Sequence, residues 1–335
     1  MVGETYDVET GKVAHGGHVV ARLPEDEPRR GLRRLQAGAV LGDSAMVREA
    51  RTEFNMDRDL SDFMFDALLL GIALEEAERA AALYLSDSTT GPRSVSAVMN
   101  AFSFYHQLGR PGAAAVAFSR LDASQRNTSW PNVMIVLHAL FGYVDSAAAL
   151  EAADRLAPLA DGPISSDPAI REDQDGVICA REWWRLARGE TRSAREAIAR
   201  LGDGRANGCA VVLEALLAQA ERRPDAAAAF ARVDSLCLSG VGRAGLPMAI
   251  AQWYESRSDH RRAYQSVRRR GYQPTLHLAH ALREEGRLAD LAGEREGAIA
   301  AYAHHLRLRY VPEPSVAPEV ARIRAELARP IGERD

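Results

Sequence analysis

A chain of 335 residues can bury a large core or stack many small units, and with 47% hydrophobic residues it is globular, not disordered. A formal net charge of −4 excludes a general electrostatic pull toward nucleic acid or anionic membrane. No apolar run approaches the ~20 residues of a membrane-spanning helix, and the N-terminus lacks an export signal, so a cytoplasmic location is expected. Cys179, Cys209 and Cys237 are odd in number and far apart, which fits a reducing compartment and offers no metal spacing. Lys12 stands alone among many arginines and alanines, so arginine clusters carry little weight as signals.

Residues 1–22, MVGETYDVETGKVAHGGHVVAR, differ from the rest. Tyr6 and Val8 alternate with polar residues, Thr10-Gly11 predicts a turn, and Val13 with Val19-Val20 predicts a second strand around Gly16-Gly17. This stretch resembles the opening of the TRAM domain, a small β-barrel at the start of RNA uracil-C5 methyltransferases. The resemblance implies a short TRAM-like fragment, a remnant or a fusion, or else a disordered arm. The methyltransferase part has no counterpart here, so methyl transfer is not expected. Residues 23–31, with Pro24, Pro28, Gly31 and three acids, predict a linker.

From Leu32 the pattern predicts helices throughout. Residues 45–54, 61–71 and 74–86 are apolar at three- and four-residue steps. Pro92, Pro131 and Pro168 mark helix starts, because proline is tolerated in the first turn. Pro158 to Pro168 and the glycine-rich LGDGRANG, residues 201–208, predict loops; Pro247 and Pro274 sit in or near the first turns of two later helices. Pro312, Pro314 and Pro318 interrupt the chain after Arg309, and residues 317–329 predict a last, more polar helix.

The stretch 282–309 reads as a helical hairpin with a tight turn at Ala292-Gly293, with Ala298 four residues and Tyr302 eight residues after Glu294. A small residue at the first position lets two helices approach closely. The same small position recurs at Ala114, Ala149, Ala194, Ala229, Ala263 and Ala298, at gaps of 35, 45, 35, 34 and 35. That is close to the 34-residue period of helix-turn-helix repeats. The turn residues are Arg110, Asp145, Glu190, Asp225, Asp259 and Glu294, preceded by Gly109, Val144, Gly189, Pro224, Ser258 and Gly293. One helical turn after each marker stand Phe118, Ala153, Ile198, Val233, Val267 and Tyr302. Weaker copies extend backwards through Asp43 with Val47, and Glu76 with Ala80 and Tyr84.

From Ser146 onward, the strings WWRLARGETRSAREAIARL, LAQAERRPDA, VRRRGYQP and LREEGRLADLAGEREGAIAAYAHHLRLR resemble the C-terminal tetratricopeptide-type arrays of bacterial serine/threonine kinases and transcriptional regulators. The resemblance implies a sensing or docking arm without its effector. The expected fold is all-α, an α-solenoid of about eight stacked hairpins over residues 32–311, with a capping helix and tail over 312–335.

Motifs for catalysis or nucleotide binding are absent, including G-x-S-x-G, a Walker loop and H-E-x-x-H, so no enzyme and no cofactor is expected. His277, His280, His304 and His305 lie on two adjacent predicted helices. Helix packing or exposure is expected of them, with metal ligation as the alternative. Trp183 and Trp184 point about 100° apart on a helix, one toward the core and the other available to a ligand peptide or also packed. Arg257, Arg261, Arg262 and Arg268–Arg270 offer a basic face to an acidic peptide or a C-terminal carboxylate. The functional expectation is a non-catalytic scaffold or regulatory module holding a protein or peptide on a concave helical surface. An RNA-associated protein using the N-terminal fragment is the alternative, which the net acidity opposes.

Overall fold

The computed structural model describes residues 45, 49, 56–71, 73–86, 94–202, 208–235, 241–268 and 277–328. The TRAM-like stretch, the linker, the Asp43–Val47 copy, Pro92, Cys237, Arg269, Arg270 and Pro274 lie outside them. Among the described residues every regular element is a helix and none is a strand. None of these helices is long and apolar enough to cross a membrane.

In chain order the helices are α1 (Met56–Leu70), α2 (Leu74–Ser86), α3 (Val95–Leu108), α4 (Pro111–Ser119), the short α5 (Ala123–Arg126), α6 (Ser129–Leu140), α7 (Ser146–Asp161) and α8 (Pro168–Ala187). They continue with α9 (Thr191–Leu201), α10 (Gly208–Ala220), α11 (Ala226–Ser235), α12 (Val241–Glu255), α13 (His260–Arg268), α14 (Leu278–Ala292), α15 (Arg295–Leu308) and α16 (Ala317–Ala328). Apart from α5 and α16, they pack as consecutive pairs: α1 on α2, α3 on α4, α6 on α7, α8 on α9, α10 on α11, α12 on α13 and α14 on α15. The first helices also pack on one another, α1 on α3, α3 on α6, α6 on α8, α8 on α10 and α10 on α12. Two further contacts skip along the chain: α8 meets α12, and α14 returns to α3.

Six of these seven hairpin turns are built alike. In each, the residue after a left-handed residue donates its N–H five residues back, the closing bond of a Schellman motif. These bonds run from Arg110 to Tyr105 (2.9 Å), Tyr143 to His138 (3.0 Å), Glu190 to Arg185 (3.0 Å), Arg223 to Ala218 (2.9 Å), Asp259 to Tyr254 (3.0 Å) and Glu294 to Ala289 (2.8 Å). Gly109, Gly189 and Gly293 supply the positive φ where the sequence predicts it, and Ser258 does so at φ 61°. In the other two turns the left-handed residue stands three positions before the acid, at Gly142 and Arg222. Asp145 caps α7 by accepting from Ala147 and Ala148, at 2.9 and 2.8 Å. Glu190 and Glu294, one carbon longer than aspartate, make no side-chain cap.

The marker register carries the packing. Ala114, Ala149, Ala194, Ala263 and Ala298 are each 0% exposed. Ala229 is the exception and is only half-buried. In α11 the buried face is Ala226, Phe230 and Val233, because the Phe230 ring stacks on Trp253 at 4.8 Å and turns the helix toward it. The Glu76 copy is also shifted. The Ala77 N–H bonds the Ala73 carbonyl at 3.0 Å, so the register of α2 runs through Ala77 and Ala81, both 0% exposed.

Two proline expectations are corrected. Helix α7 continues past Pro158 to Asp161, because Leu156 and Ala160 bury on the same face. The loop after it is pinned by buried Gln174, whose Nε2 donates to the Leu159 and Pro163 carbonyls, both at 3.0 Å. Pro247 lies inside α12, beyond its first turn.

Close approach is strictest in the α14–α15 pair. A Cβ on Gly286 would fall 2.4 Å from the Tyr302 ring, and one on Gly297 would fall 2.1 Å from the Tyr264 hydroxyl. Gly286→Ala and Ala298→Leu should therefore each destabilise by ~1–3 kcal/mol through overpacking. Urea denaturation reads this directly, and unchanged midpoints in both variants would contradict the packing.

Candidate functional site at the seam between the early and last hairpins

Helix α3 lies among α1, α4, α6 and α14, so even its polar side chains are enclosed. Ser103, His106 and Gln107 are 1%, 6% and 1% exposed. Enclosed polar groups need partners, and much of what they find comes from the other end of the chain. The Gln107 carbonyl oxygen accepts the backbone N–H of Ala279 at 2.8 Å and the Tyr143 hydroxyl at 3.3 Å. The Tyr143 hydroxyl in turn accepts the backbone N–H of His280 at 3.0 Å. Two first-turn amides of α14, which no intrahelical carbonyl can satisfy, are thus capped from the second and third hairpins.

The imidazoles of His106 and His138 lie 5.3 Å apart between ring centroids, with Tyr143 5.6 and 5.7 Å from them and Phe102 at 4.6 and 5.1 Å. His138 Nδ1 donates to the Met134 carbonyl at 2.9 Å, which leaves its buried Nε2 without a protein partner. Arg309, 3% exposed, donates from Nη1 to the His106 carbonyl at 2.6 Å. His305 Nδ1 donates to the Ala279 carbonyl at 2.8 Å, and its Nε2 stands 3.5 Å from Glu319. Arg283 joins Glu319 at 2.7 Å, Glu284 at 3.1 Å and the Nδ1 of His280 at 2.9 Å. His277 stacks on Phe141 with centroids 3.6 Å apart.

Burial sets the charge states. It pushes His106 down to about 2, aided by His138 and Arg309, and His138 down to about 4 against the Met134 hydrogen bond. His280 is also pushed to about 4, first by burial and then by Arg283, with Glu284 and Glu319 opposing. Burial opposes ionisation of Glu319 too. There the His305 hydrogen bond and the charges of Arg283 and Arg309 prevail, and the carboxyl is held at about 2. At neutral pH the seam therefore joins the neutral imidazoles of His106, His138 and His280 and the neutral Tyr143 phenol to an arginine–glutamate network.

The four histidines singled out in the sequence do not converge on one point. His277 and His280 face the third hairpin, His305 bonds within the last, and His304 Nε2 bonds the Leu68 carbonyl of α1 at 2.9 Å. Among the described residues no group of three or more histidine, cysteine, aspartate or glutamate side chains is placed to hold a metal ion.

The sequence-predicted site residues lie elsewhere. Trp183 and Trp184 are 7% and 4% exposed, so both pack in the core and neither presents a face to a ligand. The reason is that α8 has neighbours on every side: α6, α7, α9, α10 and α12. Arg257, Arg261 and Arg262 are exposed at the α12–α13 turn. The Arg257 guanidinium lies 4.1 Å over Trp253, and that of Arg262 lies 5.7 Å from the Tyr254 ring and 3.6 Å from Asp259. The seam residues Gln107, His138, Tyr143, Arg309 and Glu319 were not picked out in the sequence. A local signal does exist in α3, where polar Ser103, His106 and Gln107 interrupt an otherwise apolar run.

No family model, curated protein or solved structure matches the chain.

The histidines predict a pH dependence. His106, His138 and His280 have folded values below their ordinary 6.5, so the unfolded chain binds more protons as the pH falls under 6.5. Their stabilisation is complete above 6.5 and is lost as the pH falls toward 4, at up to about 1–2 kcal/mol each by pH 5. Glu319, held low, stays ionised through that window. The urea midpoint should fall between pH 7 and 5, and the fall should be smaller in His138→Gln. A flat profile between those pH values would contradict the buried neutral assignment.

Proposed function

We propose that the chain is a non-catalytic scaffold or regulatory module, an array of tetratricopeptide-like hairpins that holds a protein or peptide partner. The observation that carries this reading is the repeated unit itself: six turns closed by the same backbone bond, with a fully buried alanine at the same place in five of them. Such units stack, and a stack presents side chains at regular intervals along its surface, which suits recognition of extended segments.

The first helices do not offer an uninterrupted groove, because α14 covers part of α3 and α8 meets α12. The partner-binding face favoured here is the α12–α13 turn with Arg257, Arg261 and Arg262. Two of these guanidinia lie by aromatic rings, which limits the rotamer freedom lost on capturing an acidic segment. The partner class is a peptide or domain with clustered carboxylates.

The test is affinity capture from the source cells with the full chain and with the Arg261→Ala/Arg262→Ala variant, read by quantitative mass spectrometry. A partner retained by the wild type should be depleted at least ~10-fold with the variant, the loss of about 1.4 kcal/mol or more. Equal recovery would remove this face from the proposal.

A further inference from the structure

Between α15 and α16 the chain crosses back over the second hairpin. Arg309 inserts its guanidinium against the His106 carbonyl, with Nη1 at 2.6 Å. Four residues on, the Glu313 N–H bonds the Gly109 carbonyl at 2.9 Å. The Glu313 carboxylate accepts the first-turn N–H groups of α4, from Gly112 at 2.8 Å and Ala113 at 3.2 Å. Between them the Tyr310 hydroxyl bonds Glu78, which also pairs with Arg110 at 3.0 Å. The seat is shaped for this segment. A Cβ on Gly109, which has φ +74°, would lie 2.7 Å from Arg309 Nη1, and a Cβ on Gly112 would lie 3.0 Å from the Glu313 carboxylate.

Three features set this contact apart from ordinary core packing. Most of its bonds go to backbone groups of the second hairpin, so they select the strap's geometry and charge and not a particular neighbour. Pro312 and Pro314 flank Glu313 and restrict the backbone on either side of it, which lowers the ordering cost of docking. Beyond the buried Arg309 the segment is partly exposed, with Val311 55% exposed, and the Nε of Arg309 is buried without a partner. An imperfectly satisfied polar contact of this kind is weaker than an apolar one of equal size.

We propose that the α3–α4 turn and the first turn of α4 form a peptide-docking site, occupied in this structure by the chain's own residues 309–316. A partner segment of the same chemistry competes for it: an arginine, then four residues later a glutamate between prolines. The strap is thereby an intramolecular latch over the seam. The inference rests on the reading of the array as a binding module, but it uses a different face from the arginines of the α12–α13 turn.

The experiment uses the full chain and a fluorescently labelled synthetic peptide with the sequence of residues 309–316, read by anisotropy. The released variant Arg309→Ala/Glu313→Ala should bind this peptide at least ten-fold more tightly than the wild type, whose own strap competes. Replacing the glutamate of the peptide by glutamine should weaken binding to the released variant at least ten-fold. Equal weak binding to both proteins, or binding indifferent to the glutamate, overturns the docking site. If circular dichroism finds helix lost in the double variant, the same two comparisons are made on Glu313→Ala and decide in the same way. Failure here leaves the capture experiment on Arg261 and Arg262 standing, since those residues do not touch the strap.

Discussion

A helix that begins inside a protein must find acceptors for its first N–H groups, and at α14 these acceptors come from far away in the chain. Gln107 is 172 residues from the Ala279 amide it receives, and Tyr143 is 137 residues from that of His280. Without these two side chains α14 would start with buried amides facing apolar neighbours, which costs far more than an exposed helix end. The closing of the last hairpin on the early ones depends on this capping. The apolar contacts follow it: Leu278, Ala279, Leu282 and Leu308 share a core with residues of α1 through α4.

Nearest-neighbour stacking alone leaves two ends uncovered in any array of hairpins. Here α14 also covers part of α3, in the second hairpin, beyond its neighbours in the stack. The cover is polar. Arg309, His305 and Glu319 enter it from the C-terminal side, and His106, His138 and Tyr143 meet them from the other. Buried ionisable groups make such a junction sensitive to its hydrogen bonding in a way that the apolar pairs, such as Phe230 on Trp253, are not. The same chain thus holds apolar local pairs and a junction whose stability depends on charge state.

Much of the local architecture was legible in the sequence, because its causes are local. Gly109, Gly189 and Gly293 mark turns since a left-handed residue closes each helix, and the alanine four residues past each N-cap is where two helices come nearest. The register slips where a cause lies elsewhere. Phe230 rotates α11 toward a tryptophan in the next hairpin, and in α2 the N-cap is Ala73, which has no sequence signature. Of the two readings the sequence allows for Trp183 and Trp184, the packed one holds for both, because their exposure depends on how many helices surround α8. The seam was hidden for the same reason. Nothing near Gln107 or Tyr143 in the sequence points to a partner in residues 279–280, and only the polar interruptions of α3 hint that something must meet them.

The direct test of this account is native-state hydrogen exchange at the amides of Ala279 and His280. The comparison is with Arg192 and Ser193 in the first turn of α9, whose N-cap Glu190 makes no side-chain bond to the helix's first amides. The account predicts exchange at least about a hundred-fold slower at Ala279 and His280, with Gln107→Ala restoring fast exchange at Ala279 while the buried amides of α10 stay protected. Exchange at Ala279 and His280 as fast as at Arg192 and Ser193 in the wild-type protein would contradict it.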